Sequence, residues 1–243
     1  MKSQKMLIRC SINGPYIDPY LLGLIMSIAE FIIATAREKN KKITIKKGMR
    51  ALGIAESFNR DIHKSKSIIA GVIMRGDLQI DGIAFETVSI GGLDATDSII
   101  KMYQKLNRED IRIILLSGTV IAYYNIVDLQ KLFQTLKRPI IAVTYEESPG
   151  IDNFLLEMPN GELRLQIHRR NGKRIPIHLR NSFTVYIRNI GISVEDAETV
   201  LNLFTIHGRF PEPIRVAKLL SHELLKFLWG RGNLINNFST PTS

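Results

Sequence analysis

Apolar and polar positions alternate with one period up to about residue 90 and with another beyond it. The run Ala51-Leu52-Gly53-Ile54-Ala55 is almost wholly apolar and ends at Glu56, the pattern of a strand over 49–55 that is buried on both faces. "SIIAGVIMR" (67–75) and "LQIDGIAFETVSI" (78–90) carry the same character, and Gly76-Asp77 between them signals a tight hairpin. In the third segment Ile80, Gly82, Ala84 and Glu86 share one face, and Asp81, Ile83, Phe85 and Thr87 the other. Neither face is cleanly polar, which predicts cover on both.

The period then lengthens. Asp94-Ala95-Thr96-Asp97 opens a helix with Ile99, Ile100, Tyr103 and Leu106 on one stripe. "IRIILLS" (111–117) and "PIIAVTY" (139–145) are short apolar runs of the buried parallel kind, separated by a helix that Asn125 to Asp128 introduce. Three meandering strands followed by helix, strand, helix, strand is the order of a ribonuclease-H-like α/β fold: a mixed central sheet with helices on both faces. Farther on, "ELRLQIHRRNGKRIPIHLR" (162–180) alternates with period two around Asn171-Gly172 and predicts a basic β-hairpin whose second arm is an edge strand because of Pro176. A strand over 183–191, a helix capped by Ser193 and a proline-started helix over 210–228 complete the pattern.

The first 45 residues read as a separate extension. "LLGLIMSIAEFIIATA" (21–36) is too short for a bilayer span and Glu30 interrupts it, while Asp18-Pro19 suits the start of a soluble helix. Such an apolar helix invites a partner or a second copy, so a homo-oligomer is one expectation. The expected division is therefore an N-terminal extension over 1–45, an α/β domain over 46–229 and a polar tail over 230–243.

Charge and cysteine content narrow the partner. The 243 residues carry a formal charge of +10, which points to a polyanion, with nucleic acid ahead of a membrane surface. On the predicted hairpin, Arg164, His168, Arg170, Arg174, His178 and Arg180 fall mainly on the polar face, with Arg169 and Lys173 near the tip, as a phosphate-contacting ribbon would place them. A solvated face that discourages edge pairing explains the same charges. Cys10 is the only cysteine, so no disulfide forms within the chain and a reducing cytoplasm is expected. No Ser-His-Asp spacing and no phosphate-binding glycine loop is present.

In the expected topology the first and fourth strands lie side by side, and their C-terminal ends flank the crevice where ligands of open α/β sheets bind. Ala55, Glu56, Ser117 and Gly118 bound it, with Asp94, Asn125 and Asp128 at neighbouring helix starts. Glu86 is an acid in an otherwise apolar strand, and a buried carboxylate needs a partner or a metal. Glu56 and Glu86, with Asp94, are thus the candidate catalytic and metal-binding acids, and magnesium or manganese is the expected cofactor only if the chain is a nuclease. Capping accounts equally for Asp94, Asn125 and Asp128.

The phrases "KKGMRALGI", "AGVIMRGDLQIDGI", "GGLDATDSI", "YNIVDL" and "PEPIRVAKLL" resemble an archaeal family of uncharacterised proteins, domain of unknown function ninety-nine, which is related to endonuclease V. The likeness runs from about Lys46 to about Leu225 and implies an endonuclease-V-like fold. Endonuclease V cleaves nucleic acid near deaminated purines with magnesium held by carboxylates, so the resemblance also implies where acids should stand. At three such positions this chain has Ala55, Ser117 and Gly91 instead. The expectation is a nucleic-acid-binding protein with a degraded metal site; the alternatives are a metal-dependent phosphodiesterase with a relocated site and an interaction scaffold.

Overall fold

The computed structural model describes residues 44–57, 65–147 and 150–230; the expected N-terminal helix and polar tail lie outside the described residues. The described chain runs β1 (Arg50–Ser57), β2 (Lys66–Arg75), β3 (Ile80–Ser89), α1 (Ala95–Leu106), β4 (Ile111–Leu116), β5 (Val120–Ile121), β6 (Asn125–Ile126) and α2 (Leu129–Leu136). It continues with β7 (Ile140–Thr144), α3 (Asp152–Glu157), α4 (Gly161–Arg170), β8 (Ile175–His178), β9 (Thr184–Ile190), α5 (Val194–Phe204) and α6 (Glu212–Gly230).

Seven strands form one sheet in the order β3-β2-β1-β4-β7-β9-β8, and β5 pairs with β6 apart from it. The apolar runs β1, β4 and β7 are its parallel centre, with helices covering both faces. Alternation splits the core. Ala51, Ala55, Leu115 and Val143 pack against α5 and α6, whereas Leu52, Ile54, Ile114 and Ala142 pack against α1 and α2. Ser193 caps α5 by accepting from Asp196 N at 3.1 Å, as its sequence predicts, and Arg215 pairs with Glu212 across one turn of α6 at 2.5 Å.

Helix α6 lies unusually close to β1. A side chain at Gly53 would bring Cβ to 2.3 Å from the Pro213 backbone, so glycine is what permits the contact. The two elements then run together: four residues along the strand (~13 Å) and nine along the helix (~14 Å) bring Ser57 opposite His222. Ser57 Oγ and His222 Nδ1 lie 3.3 Å apart.

Two expectations are overturned. The basic β-hairpin over 162–180 does not form: residues 161–170 are helix α4 and only Ile175–His178 is a strand. The Asn-Gly signal ends that helix instead of turning a hairpin. Asn171 N donates to Ile167 O at 3.1 Å, Gly172 N to Arg169 O at 3.0 Å, and Gly172 takes φ +79°. The edge position that Pro176 demanded does hold, since β8 is the last strand. In β3, the other edge, cover on both faces is not observed: Ile83 is 45% exposed and Phe85 38%.

Replacing Gly53 by alanine should force α6 off β1 and cost about 2–3 kcal/mol, the scale of overpacking a well-packed core. Urea unfolding of the variant checks this; an unchanged midpoint would show that the close approach carries no strain.

Candidate functional site

The crevice between β1 and β4 exists where the sequence places it. Ser117 N donates to Ile54 O at 2.9 Å, joining the two strand ends. Ala55 is buried on the α5–α6 side, and Glu56, its neighbour, belongs to the opposite face. The space beside Glu56 is about 10 Å³, room for one water at most. Burial pushes the Glu56 carboxyl up, against smaller downward pulls from the Ser67 hydroxyl, the Ala122 backbone and the Lys218 ammonium. Ser67 Oγ donates directly to Glu56 Oε1.

The other candidate acids are engaged elsewhere. Glu56 pairs in register with Ile69, and Ile69 with Glu86, which puts the two acids two strands apart, ~10 Å. Glu86 accepts from Lys105 Nζ at 2.6 Å, and that bond holds its carboxyl below the usual range. Asp94 stands at the N-cap position of α1 without capping it. Its carboxylate accepts from Ser89 Oγ at 2.7 Å and Asn125 Nδ2 at 2.7 Å; burial pushes its pKa up, but these bonds together bring it below the ordinary value. Asn125 supplies the cap, its Oδ1 accepting from Ala95 N at 3.1 Å. Asp128 caps α2 by accepting from Lys131 N at 3.1 Å and pairs with Arg170. Among the described residues, no three His, Cys, Asp or Glu side chains converge to hold a metal ion. With Ala55, Ser117 and Gly91 where acids are implied, the described donor set does not fit a divalent cation.

On the α6 side the strand ends open into a cleft of about 470 Å³. Its walls are Ser117 to Val120 after β4, Thr144 and Tyr145 after β7, His168 from α4, Arg174, Arg188 from β9, and Phe210 and Lys218 at α6. Arg188 is buried; Nε donates to Gly172 O at 2.8 Å and Nη1 to Thr119 Oγ1 at 3.2 Å. Burial lowers its pKa, and the neighbouring Arg174 adds to that. Burial likewise lowers His168, whose Nδ1 has no hydrogen-bond partner. The Tyr145 hydroxyl is also buried, and burial pushes the phenol up against a smaller downward pull from the Ser117 hydroxyl. The Tyr145 and Phe210 rings meet at a tilt of 38° with centroids 4.0 Å apart, and Lys218 Nζ lies 5.6 Å from the Phe210 centroid.

Of the predicted phosphate-contacting cations, only His168 and Arg174 line this cleft. Arg169 pairs with Asp152 at 3.0 Å and Arg170 with Asp128, while Lys173, His178 and Arg180 are exposed outside it. Arg164 is the largest correction, because it is 1% exposed and presents nothing to solvent. Its guanidinium donates to Pro159 O (2.8 Å), Gly92 O (2.8 Å), Tyr124 O (2.6 Å) and Gly91 O (2.6 Å). It thereby ties α4 to the Gly91 loop and to the β5–β6 turn, where Ala122, Tyr123 and Tyr124 all have positive φ. Sequence reading missed Thr119, Arg188, Phe210 and Lys218. Arg188, a cation inside the apolar run "FTVYIRNIG", was the one detectable signal.

A β1–β4–β7 parallel centre flanked by antiparallel strands and helices on both faces defines the ribonuclease-H-like class, and solved structures agree. Endonuclease V from Ciona intestinalis, in complex with inosine-containing DNA, superposes with TM-score 0.51 at 17% identity over 84% of this chain and 99% of that one. Endonuclease V from Streptomyces avermitilis gives 0.53 at 16% over 83% and 94%. Within that class the chain belongs to the endonuclease dU family, whose model matches residues 47–225. Relatives named UPF0215 protein are 36% identical in Methanosarcina barkeri and 32% in Pyrobaculum calidifontis, covering 73% of this chain and 91% and 97% of theirs. A protein of unknown function from Archaeoglobus fulgidus has the same fold, with TM-score 0.63 at 29% identity over 74% of this chain and 98% of that one. Among the described residues no helix is long and apolar enough to cross a membrane.

Two outcomes test this geometry. Arg164→Met leaves four carbonyls without their donor and should cost about 3 kcal/mol or more in urea unfolding; Arg164→Lys, unable to reach all four, should recover only part of it. Because the folded Glu56 carboxyl sits above its unfolded value, its protonated form contributes stability at low pH that is lost as pH rises through the folded value. Glu56→Gln should therefore stabilise the protein at pH 7 relative to wild type and do so progressively less toward pH 4. A constant difference across that range would remove burial as the cause.

Proposed function

We propose that this protein binds nucleic acid in the cleft at the ends of β4 and β7 and hydrolyses it little or not at all. One observation carries the reading: among the described residues, the crevice edge where the fold class would hold metal-binding acids keeps one acid, Glu56, beside Ala55, Ser117 and Gly118, while the adjoining cleft sets Arg174, Arg188 and Lys218 against the one carboxylate of Glu146. Cationic side chains attract phosphate without a metal, since each neutralised phosphate releases counterions. They offer no means of activating a water, which a two-metal site supplies. The inosine-bearing DNA of the Ciona structure and the family description, endonuclease dU, support nucleic acid as the ligand class. The net charge of +10 supports it independently.

The test is fluorescence anisotropy of the full chain with a labelled single-stranded oligonucleotide in EDTA. Affinity should fall about tenfold or more between 50 and 200 mM salt, as expected for three or so phosphate contacts. The Arg174→Ala, Lys218→Ala double variant should weaken binding and flatten the salt dependence. Strands carrying dU or inosine should remain intact in magnesium or manganese. Cleavage that wild type performs and Glu56→Gln abolishes would instead establish a relocated metal site, and binding indifferent to salt would remove the cationic cleft from the interface.

A further inference from the structure

Arg188 is nine-tenths buried and among the described residues meets no carboxylate: its hydrogen bonds go to the Gly172 carbonyl and the Thr119 hydroxyl. A buried cation without a counter-charge is costly, and the cost is removed by whatever anion enters. Arg174 and Lys218 line the same cleft, and among the described residues the carboxylate that lines it with them is the exposed Glu146. Asp152, the other acid close enough to influence His168, is already paired with Arg169.

We propose that the cleft recognises a phosphomonoester, the terminal phosphate of a nucleic-acid strand, in preference to an internal phosphodiester. Charge is the first argument. A phosphodiester brings one negative charge and two free oxygens, whereas a terminal phosphate brings close to two charges and three acceptor oxygens. Guanidinium groups match those oxygens in bidentate pairs, and Arg188 has donors that no atom of the described residues uses. Access is the second argument. An internal phosphate carries a nucleotide on each side and stays at the rim with Arg174 and Lys218. A strand end enters end-on and reaches Arg188, with the tilted Tyr145 and Phe210 rings as an apolar wall for the terminal nucleoside. The preference rests on the reading that the protein binds nucleic acid.

The experiment compares one oligonucleotide sequence with a 5′-phosphate, with a 3′-phosphate and with hydroxyls at both ends, each titrated against the full chain in EDTA. One phosphorylated form should bind at least tenfold more tightly than the unphosphorylated strand. Millimolar inorganic phosphate should erase that excess alone. Lys218→Ala, an exposed position whose change should leave folding intact, and Arg188→Lys, which keeps the charge but loses the fork, should each reduce the preference. Equal affinity for all three strands would overturn the terminal-phosphate proposal and leave general nucleic-acid binding standing. Binding of a nucleoside monophosphate with no binding of any oligonucleotide would do the reverse, keeping the phosphomonoester site and removing the strand. A preference that survives both variants would place the terminal phosphate outside this cleft and overturn the proposal.

Discussion

The close packing of α6 on β1 is the constraint from which the rest of the site follows. With no side chain at Gly53, the start of the helix rests on the strand backbone, and the two elements then run side by side to the strand end. That course brings Phe210, just before the helix, and Lys218, within it, to the mouth of the cleft. Moving the helix outward by the width of a methyl group would detach both from the strand ends. The position of the cleft is therefore set by backbone contact, which neither charge nor solvent can adjust.

What fills that position is electrostatically the reverse of a metal site. Converging carboxylates repel a phosphate until cations arrive, so in such a site metal and substrate bind together. In this chain the positive charge is covalent. Arg188 is held by neutral acceptors, and the cleft's positive charge needs no ion in solution. Fixed charges of this kind position a phosphate well and activate water poorly.

The strands and their order were legible because apolar runs and alternation report burial directly. Helix α4 was not, and the reason lies in Arg164. Its deeply buried position would ordinarily carry an apolar residue, which would have completed a helical stripe with Leu165 and its neighbours. With arginine there, the remaining Leu163, Leu165 and Ile167 alternate like a strand, and Asn171-Gly172 reads as a hairpin turn although it terminates a helix. The capping roles were blurred by distance in a similar way. Asp94 and Asn125 each look like the cap of the helix that follows, yet Asn125 caps the helix that begins beside Asp94, 30 residues earlier. The cleft was out of reach because Thr119, Arg188 and Lys218 come from three elements far apart in sequence, each ordinary in its own context.

Glu56 shows what one acid costs the fold at this strand edge. Its carboxylate is buried beside a space that admits one water at most, held by Ser67 and pulled on by Lys218. It adds an electrostatic burden to the folded state and no packing that glutamine would lack. Acids converging at a strand end are a cost to stability wherever they occur, because like charges and desolvation both raise the energy of the ionised form. Stability here comes from other contacts: the sheet centre, the Gly53 approach and the four-carbonyl clamp of Arg164. Two of these reach the positions where acids are implied: Ala55 packs in the sheet centre, and the Gly91 carbonyl accepts from Arg164. An edge with fewer ionised acids therefore places a smaller electrostatic burden on the scaffold.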